Sequence, residues 1–366
     1  MKNFVKIATI LGITFLMMVQ CKKGIPSASE GEFKIDGKLA GLSEGTLYLQ
    51  KNINGEKVAI DSVQLKNQEQ FSFKGKIDHP DVYWLQVKGN IPMAIFLEPG
   101  KGVAFRAHID SIQLYKAYGI ETQKDLSRFS RYIYSRDVAY NDYEQAYLVA
   151  KQNNDTYGAE SWAVKMENNR RSRTNLALNF AIRNPKTQIA PWIGINYLAE
   201  AQPRYLDTLY SKMNDSIKKT YYGKEFKKYL DGMHRTKVGN SVSKLALKDI
   251  NGKALNFPVL GKKTVLYFWK TSDVVSRGDV LLLSQNTNPN AVIYAVNLDS
   301  DANIVKKIPE FKSITLPIVF DKLGIESVLA QTFAVRQTPS SMIIDENGKI
   351  LALGVSASEI ATLIGQ

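Results

Sequence analysis

The sequence predicts three parts in series: an antiparallel β sandwich or barrel, a helical middle region, and a C-terminal α/β layered domain with a mixed sheet. Three observations predict this order. Short alternating apolar runs broken by Gly and Asn turns fill residues 32–112, and apolar residues at helical spacing mark residues 113–235. From 236 to 366, continuous apolar runs alternate with helical segments.

Composition sets the bounds. At 366 residues, 44% hydrophobic and 10% aromatic, the chain can build more than one core. Forty-eight basic against 35 acidic side chains give a net charge of +13, which favours anionic surfaces. The single cysteine excludes intramolecular disulfides, cysteine-rich zinc sites and a dithiol redox cycle within the chain, since each needs two thiols.

That cysteine is Cys21. Lys2 and Lys6 precede an uncharged apolar run at residues 7–19, too short for a comfortable membrane span but suited to a secretory signal. A cysteine directly after such a run resembles the lipobox of bacterial lipoproteins, with Gln20 and Met18 departing from the usual small residue and leucine. The resemblance implies a signal peptide over 1–20, lipidation of Cys21 and a tether over 21–31. It also implies a cell-envelope location, with a membrane anchor that faces the periplasm.

In the β part, runs such as Thr46-Leu47-Tyr48-Leu49, Phe71-Ser72-Phe73 and Ala94-Ile95-Phe96-Leu97 alternate with turn signals such as Asn54-Gly55 and Pro99-Gly100. With Phe33-Lys34-Ile35-Asp36-Gly37 and Phe96-Leu97-Glu98-Pro99-Gly100, the segment resembles the small β domain of unknown function that precedes thioredoxin-like domains in many envelope lipoproteins. Gly41-Leu42-Ser43-Glu44-Gly45 matches the G-x-S-x-G string of hydrolases, but a turn between short strands lacks the strand-to-helix elbow that chemistry needs. In the helical part, Asn184-Pro185 and Ala190-Pro191 predict breaks. The cluster Arg170, Arg171 and Arg173, and the lysines 218, 219, 224, 227 and 228, read as solvated faces.

In the last part, Leu247 to Lys253 reads as a hairpin around Asn251-Gly252, and Thr264-Val265-Leu266-Tyr267-Phe268-Trp269 as a buried central strand. Together with Val335-Arg336-Gln337-Thr338-Pro339 and Ile344-Asp345-Glu346-Asn347-Gly348-Lys349-Ile350, these resemble the thioredoxin fold of TlpA-like envelope thiol oxidoreductases. The resemblance implies a cis Thr338-Pro339 bond beside the redox site. It also implies a Cys-x-x-Cys pair a few residues after Phe268-Trp269, where this chain has Asp273 and Ser276.

A carboxylate and a hydroxyl cannot perform thiol exchange, which needs a thiolate attacking a disulfide sulfur. No catalytic residue is therefore assigned, and Asp273 is expected to cap a helix. The fold then suggests a redox-inactive module whose groove, walled by Trp269 with Thr338 and Pro339, takes extended peptides or envelope proteins. The alternatives are an oxidoreductase component that uses a partner's thiols and a structural envelope lipoprotein. No cofactor or nucleic-acid partner is expected, because phosphate-loop and nucleic-acid motifs are missing. His79, His108 and His234 are not at metal-ligand spacing, so no metal is expected either.

Overall fold

The computed structural model describes residues 24–365 except Ser43 and Glu200. Cys21 and the signal-like segment lie outside the described residues.

The first part is built from β1 (Glu32–Ala40), β2 (Glu44–Ile53), β3 (Glu56–Lys66), β4 (Gln70–Lys76), β5 (Asp81–Val87), β6 (Met93–Leu97), β7 (Lys101–His108) and β8 (Lys116–Tyr118). They form two four-stranded sheets, ordered β4-β1-β7-β8 and β3-β2-β5-β6. The expectation of an antiparallel sandwich needs one correction: β1 runs parallel to β7, from Phe33 opposite Lys101 to Ala40 opposite His108. Gly41, just after β1, and Gly45, in β2, are at positive φ, and the hydrolase-like string links two strands rather than a strand to a helix. The strand β8 extends the sheet beyond residue 112, where the period of the sequence already changes.

Helices α1 (Thr122–Gln152) and α2 (Thr156–Arg183) form a long hairpin, followed by α3 (Ile189–Tyr197), α4 (Pro203–Lys212), α5 (Asp215–Lys218) and α6 (Tyr221–Arg235). Helix α2 starts at Asp155, whose carboxylate accepts from the Gly158 amide at 2.8 Å, and ends before Pro185. Pro191 does not break a helix as expected. It lies in the first turn of α3, where an amide has no intrahelical acceptor to lose. Only part of the hairpin is buried: Leu126, Phe129 and Ile133 of α1 and Ala177, Phe180 and Ala181 of α2 join the same apolar cluster as the sandwich residues Phe33, Leu85 and Phe96. The sandwich and the helices thus share one continuous core.

The last part contains β9 (Leu247–Lys248), β10 (Ala254–Leu255), β11 (Lys263–Trp269), α7 (Val274–Leu283), β12 (Ala291–Asn297), α8 (Ala302–Lys306), β13 (Ile318–Phe320), α9 (Val328–Thr332), β14 (Ser340–Ile344), β15 (Ile350–Leu353) and α10 (Ala357–Gly365). Its main sheet has the order β13-β12-β11-β14-β15. Strands β11, β12 and β13 are parallel, and β14 and β15 are antiparallel. This is the thioredoxin-like topology, and the Thr338-Pro339 bond ahead of β14 is cis. The alternation of β11 explains its unbroken apolar run: Leu266 and Phe268 enter one core, and Val265, Tyr267 and Trp269 enter another on the opposite face.

The three parts touch. The Asn54-Gly55 turn between β2 and β3 has both residues at positive φ, as a two-residue hairpin turn requires. Its tip reaches the thioredoxin-like domain, where Asn54 Nδ2 donates to the Lys322 carbonyl at 3.2 Å.

Candidate functional site

The chain leaves β11 at Trp269 and enters α7 at Val274, the loop that would carry redox cysteines. Asp273 Oδ1 accepts from the Val275 and Ser276 amides, each at 3.2 Å. It is the N-cap of α7, and its charge faces the positive end of that helix. Ser276 is fully buried, and its Oγ donates to the Asp273 carbonyl at 3.1 Å. The Thr271 amide donates to Asp299 at 3.1 Å, and Asp299 in turn accepts from Asn297 Nδ2 at 2.8 Å. These bonds tie Asp273 and Ser276 to the helix start, which leaves neither poised as a nucleophile. Beneath the loop, the Tyr267 hydroxyl donates to Asp279; burial, then the nearby Asp279 charge, pushes the Tyr267 phenol far up.

Trp269 is not a groove wall. Its side chain is 0% exposed and packs edge-on against Phe311, with ring centroids 5.0 Å apart. The reason is the parity of β11: the odd positions enter the core between the sheet and α7. Thr338 and Pro339 are half-exposed, and the Thr338 main chain makes no hydrogen bond among the described residues.

The surroundings of this loop come from the other two parts. Glu56 of β3 pairs with Lys270, Oε1 to Nζ 3.4 Å, just before the capping aspartate. Helix α1 runs past the start of α7: burial, then the Asp273 charge, raises the Glu144 carboxyl above its ordinary range. Gln337, next to Thr338, lines a cavity of about 400 Å³ together with residues of β3, β5, α1, α2 and α3.

Two of the arginines expected on a solvated face, Arg170 and Arg173, line that cavity, whereas Arg171 stays outside and pairs with Glu167 at 2.6 Å. Arg173 Nε lies 2.7 Å from Asp137, and its guanidinium stacks over Tyr197 at 4.5 Å. Lys57, Trp84 and Asp137 join them without any sequence signal, because they come from separate elements without a shared spacing. The lysine run behaves as expected, with Lys228 paired to Glu225 and Lys227 to Asp231 on an exposed helix face. His234 pairs with Asp207 at 2.8 Å and His79 stacks on Tyr221, and no group of metal-binding side chains occurs among the described residues.

Fold and loop together define a thioredoxin-like domain with both redox positions replaced, carried behind a β sandwich and a helical hairpin. Among known proteins, the sequence profile of a family described as a domain of unknown function (DUF4369) matches residues 33–126. No curated protein matches the chain. Solved structures resemble its C-terminal third. The thioredoxin domain of a thiol-disulfide oxidoreductase from Bacteroides vulgatus is 20% identical, covering 35% of this chain and 98% of that one, with a TM-score of 0.31. A thiol-disulfide oxidoreductase from Bacteroides fragilis is 21% identical over 34% of this chain and 99% of that one, TM-score 0.30. A thioredoxin-like protein from Parabacteroides distasonis is 19% identical over 36% and 96%, TM-score 0.30.

Proposed function

We propose that this chain is a redox-inactive thioredoxin-like module of the cell envelope, anchored through Cys21, that holds an extended segment of an envelope protein beside the Thr338-Pro339 loop. The observation that supports it is Thr338, a half-exposed residue just ahead of β14 whose main-chain amide and carbonyl are left without hydrogen-bond partners among the described residues. Such groups can pair with an extended peptide by adding to the strand direction of the sheet. Redox inactivity follows from chemistry, since Asp273 and Ser276 supply no thiolate and both serve the helix start.

The test has two arms. The purified chain should show no insulin-disulfide reductase activity, and turnover above the uncatalysed rate would overturn redox inactivity. Thr338→Arg should lower crosslinked recovery of envelope partners severalfold, and unchanged recovery would overturn the groove reading. The anchor is checked separately: fatty-acid label should enter the wild type and not Cys21→Ser, and an unlabelled wild type would remove it.

A further inference from the structure

The cavity lined by Gln337 holds an imbalance of charge. Four cationic side chains, Lys57, Arg131, Arg170 and Arg173, line it with one carboxylate, Asp137, and Arg170 is also paired with Glu167. That carboxylate is already engaged by Arg173 at 2.7 Å. Lys57 has no carboxylate at ion-pair distance among the described residues; its ammonium instead sits 4.8 Å from the centre of the Trp84 ring. Lys57 is an exposed residue of β3, but two cations that face one another repel unless an anion joins them. Desolvation by the nearby protein, then the Arg173 charge, holds the Lys57 ammonium down to about 8, with Asp137 opposing.

The remaining walls mix apolar and aromatic side chains with polar ones such as Asn141, Thr174 and Asn196. Trp84 and Tyr197 face the cavity with Met93 and Ile112. The volume, about 400 Å³, falls within the range of small-molecule sites, where a few polar groups fix orientation and apolar walls bury the body.

We propose that this cavity binds a small organic anion, with the oxyanion group held by Lys57 and Arg173 and the apolar body against Trp84 and Tyr197. Charge-assisted hydrogen bonds from a lysine and an arginine give the anionic group its selectivity, and the cation over each aromatic ring keeps the two walls in place. The bound anion would touch the sandwich, the helical hairpin and the thioredoxin-like domain together. This site does not depend on peptide capture beside Thr338, and the two can fail separately.

The probe is 8-anilinonaphthalene-1-sulfonate added to the full chain, with N-phenyl-1-naphthylamine as the neutral control of nearly the same shape. The sulfonate should saturate one site and bind at least about tenfold more tightly than the neutral compound. Lys57→Gln should weaken sulfonate binding by about tenfold and leave the neutral compound unchanged, whereas Lys57→Arg should stay within about threefold of the wild type. Lys57→Arg keeps the test valid should the glutamine variant fail to melt cooperatively. Absence of saturable sulfonate binding, equal affinity for the two compounds, or a sulfonate affinity that Lys57→Gln leaves unchanged would each overturn the proposal.

Discussion

Lys57 shows how desolvation and charge act on one residue. It is an exposed residue of β3 that lines the cavity, and its ammonium is held down to about 8 from an ordinary 10.5 by desolvation, then by Arg173, with Asp137 opposing. Between pH 8 and 10.5 the folded chain has released a proton that the unfolded chain still holds, so stability rises with pH across that window. Below pH 8 both states are protonated, and the whole cost of desolvation and of the Arg173 repulsion is present. Lys57→Met is therefore expected to be more stable than the wild type at pH 7, with the difference closing towards pH 10. Denaturant unfolding at several pH values measures this, and a difference independent of pH would contradict it. At this scale the sequence was informative where chemistry is local. Asp273 and Ser276 were legible because a motif fixes their spacing, and the cap follows from one aspartate before a helix. Lys57, Asp137 and Arg173 were not, because a cavity assembled from β3, α1 and α2 leaves no pattern along the chain.

Elements were legible to the degree that period decides them. The unbroken apolar run of β11 could only be a strand buried on both faces, and its parity then puts Trp269 in the core. The parallel pairing of β1 with β7 was hidden, because alternation fixes which face a side chain takes but not which neighbour a short strand chooses. Within the same sheet, Gly37 lies opposite Phe71, and the aromatic ring crosses over it. A Cβ at Gly37 would come 2.2 Å from Phe71 Cζ. The ring cannot swing away freely, since Phe73 and Phe105 stand 5.8 and 5.9 Å from it. Gly37→Ala is expected to cost about 1–3 kcal/mol by overpacking. Urea unfolding reads this directly, and a change below about 0.5 kcal/mol would mean that the ring relocates without strain.

At the scale of the whole molecule, the sandwich and hairpin share one core, and the thioredoxin-like domain is joined to them by fewer, more polar contacts. Lys270 has only 10% of its side chain exposed and depends on Glu56 for its countercharge. On the other side of the joint, Arg336 pairs with Glu326 at 2.9 Å and lies over Tyr229 of α6 at 5.7 Å. Removing Glu56 leaves the Lys270 ammonium largely enclosed and unpaired, so Glu56→Ala should cost about 1–3 kcal/mol, less than a fully buried pair because Glu56 is partly solvated. Adding Lys270→Met should recover most of that loss. A double-mutant cycle on thermal unfolding checks it, and a coupling energy near zero would show that the pair does not hold the joint. Neither the Glu56–Lys270 pair nor the Arg336–Tyr229 contact was legible in sequence, since each links residues far apart in the chain.

That separation has a kinetic consequence. Asn54 is 268 positions from its acceptor Lys322, and Glu56 is 214 from Lys270. A chain emerging from its N-terminus can complete the core formed by residues 33–230 long before residue 322 exists. The hairpin tip must then wait, exposed, for its seat to be made. Closure of the joint therefore follows completion of the sandwich and hairpin core. Damage at the tip should speed undocking while leaving the folding of either half nearly unchanged.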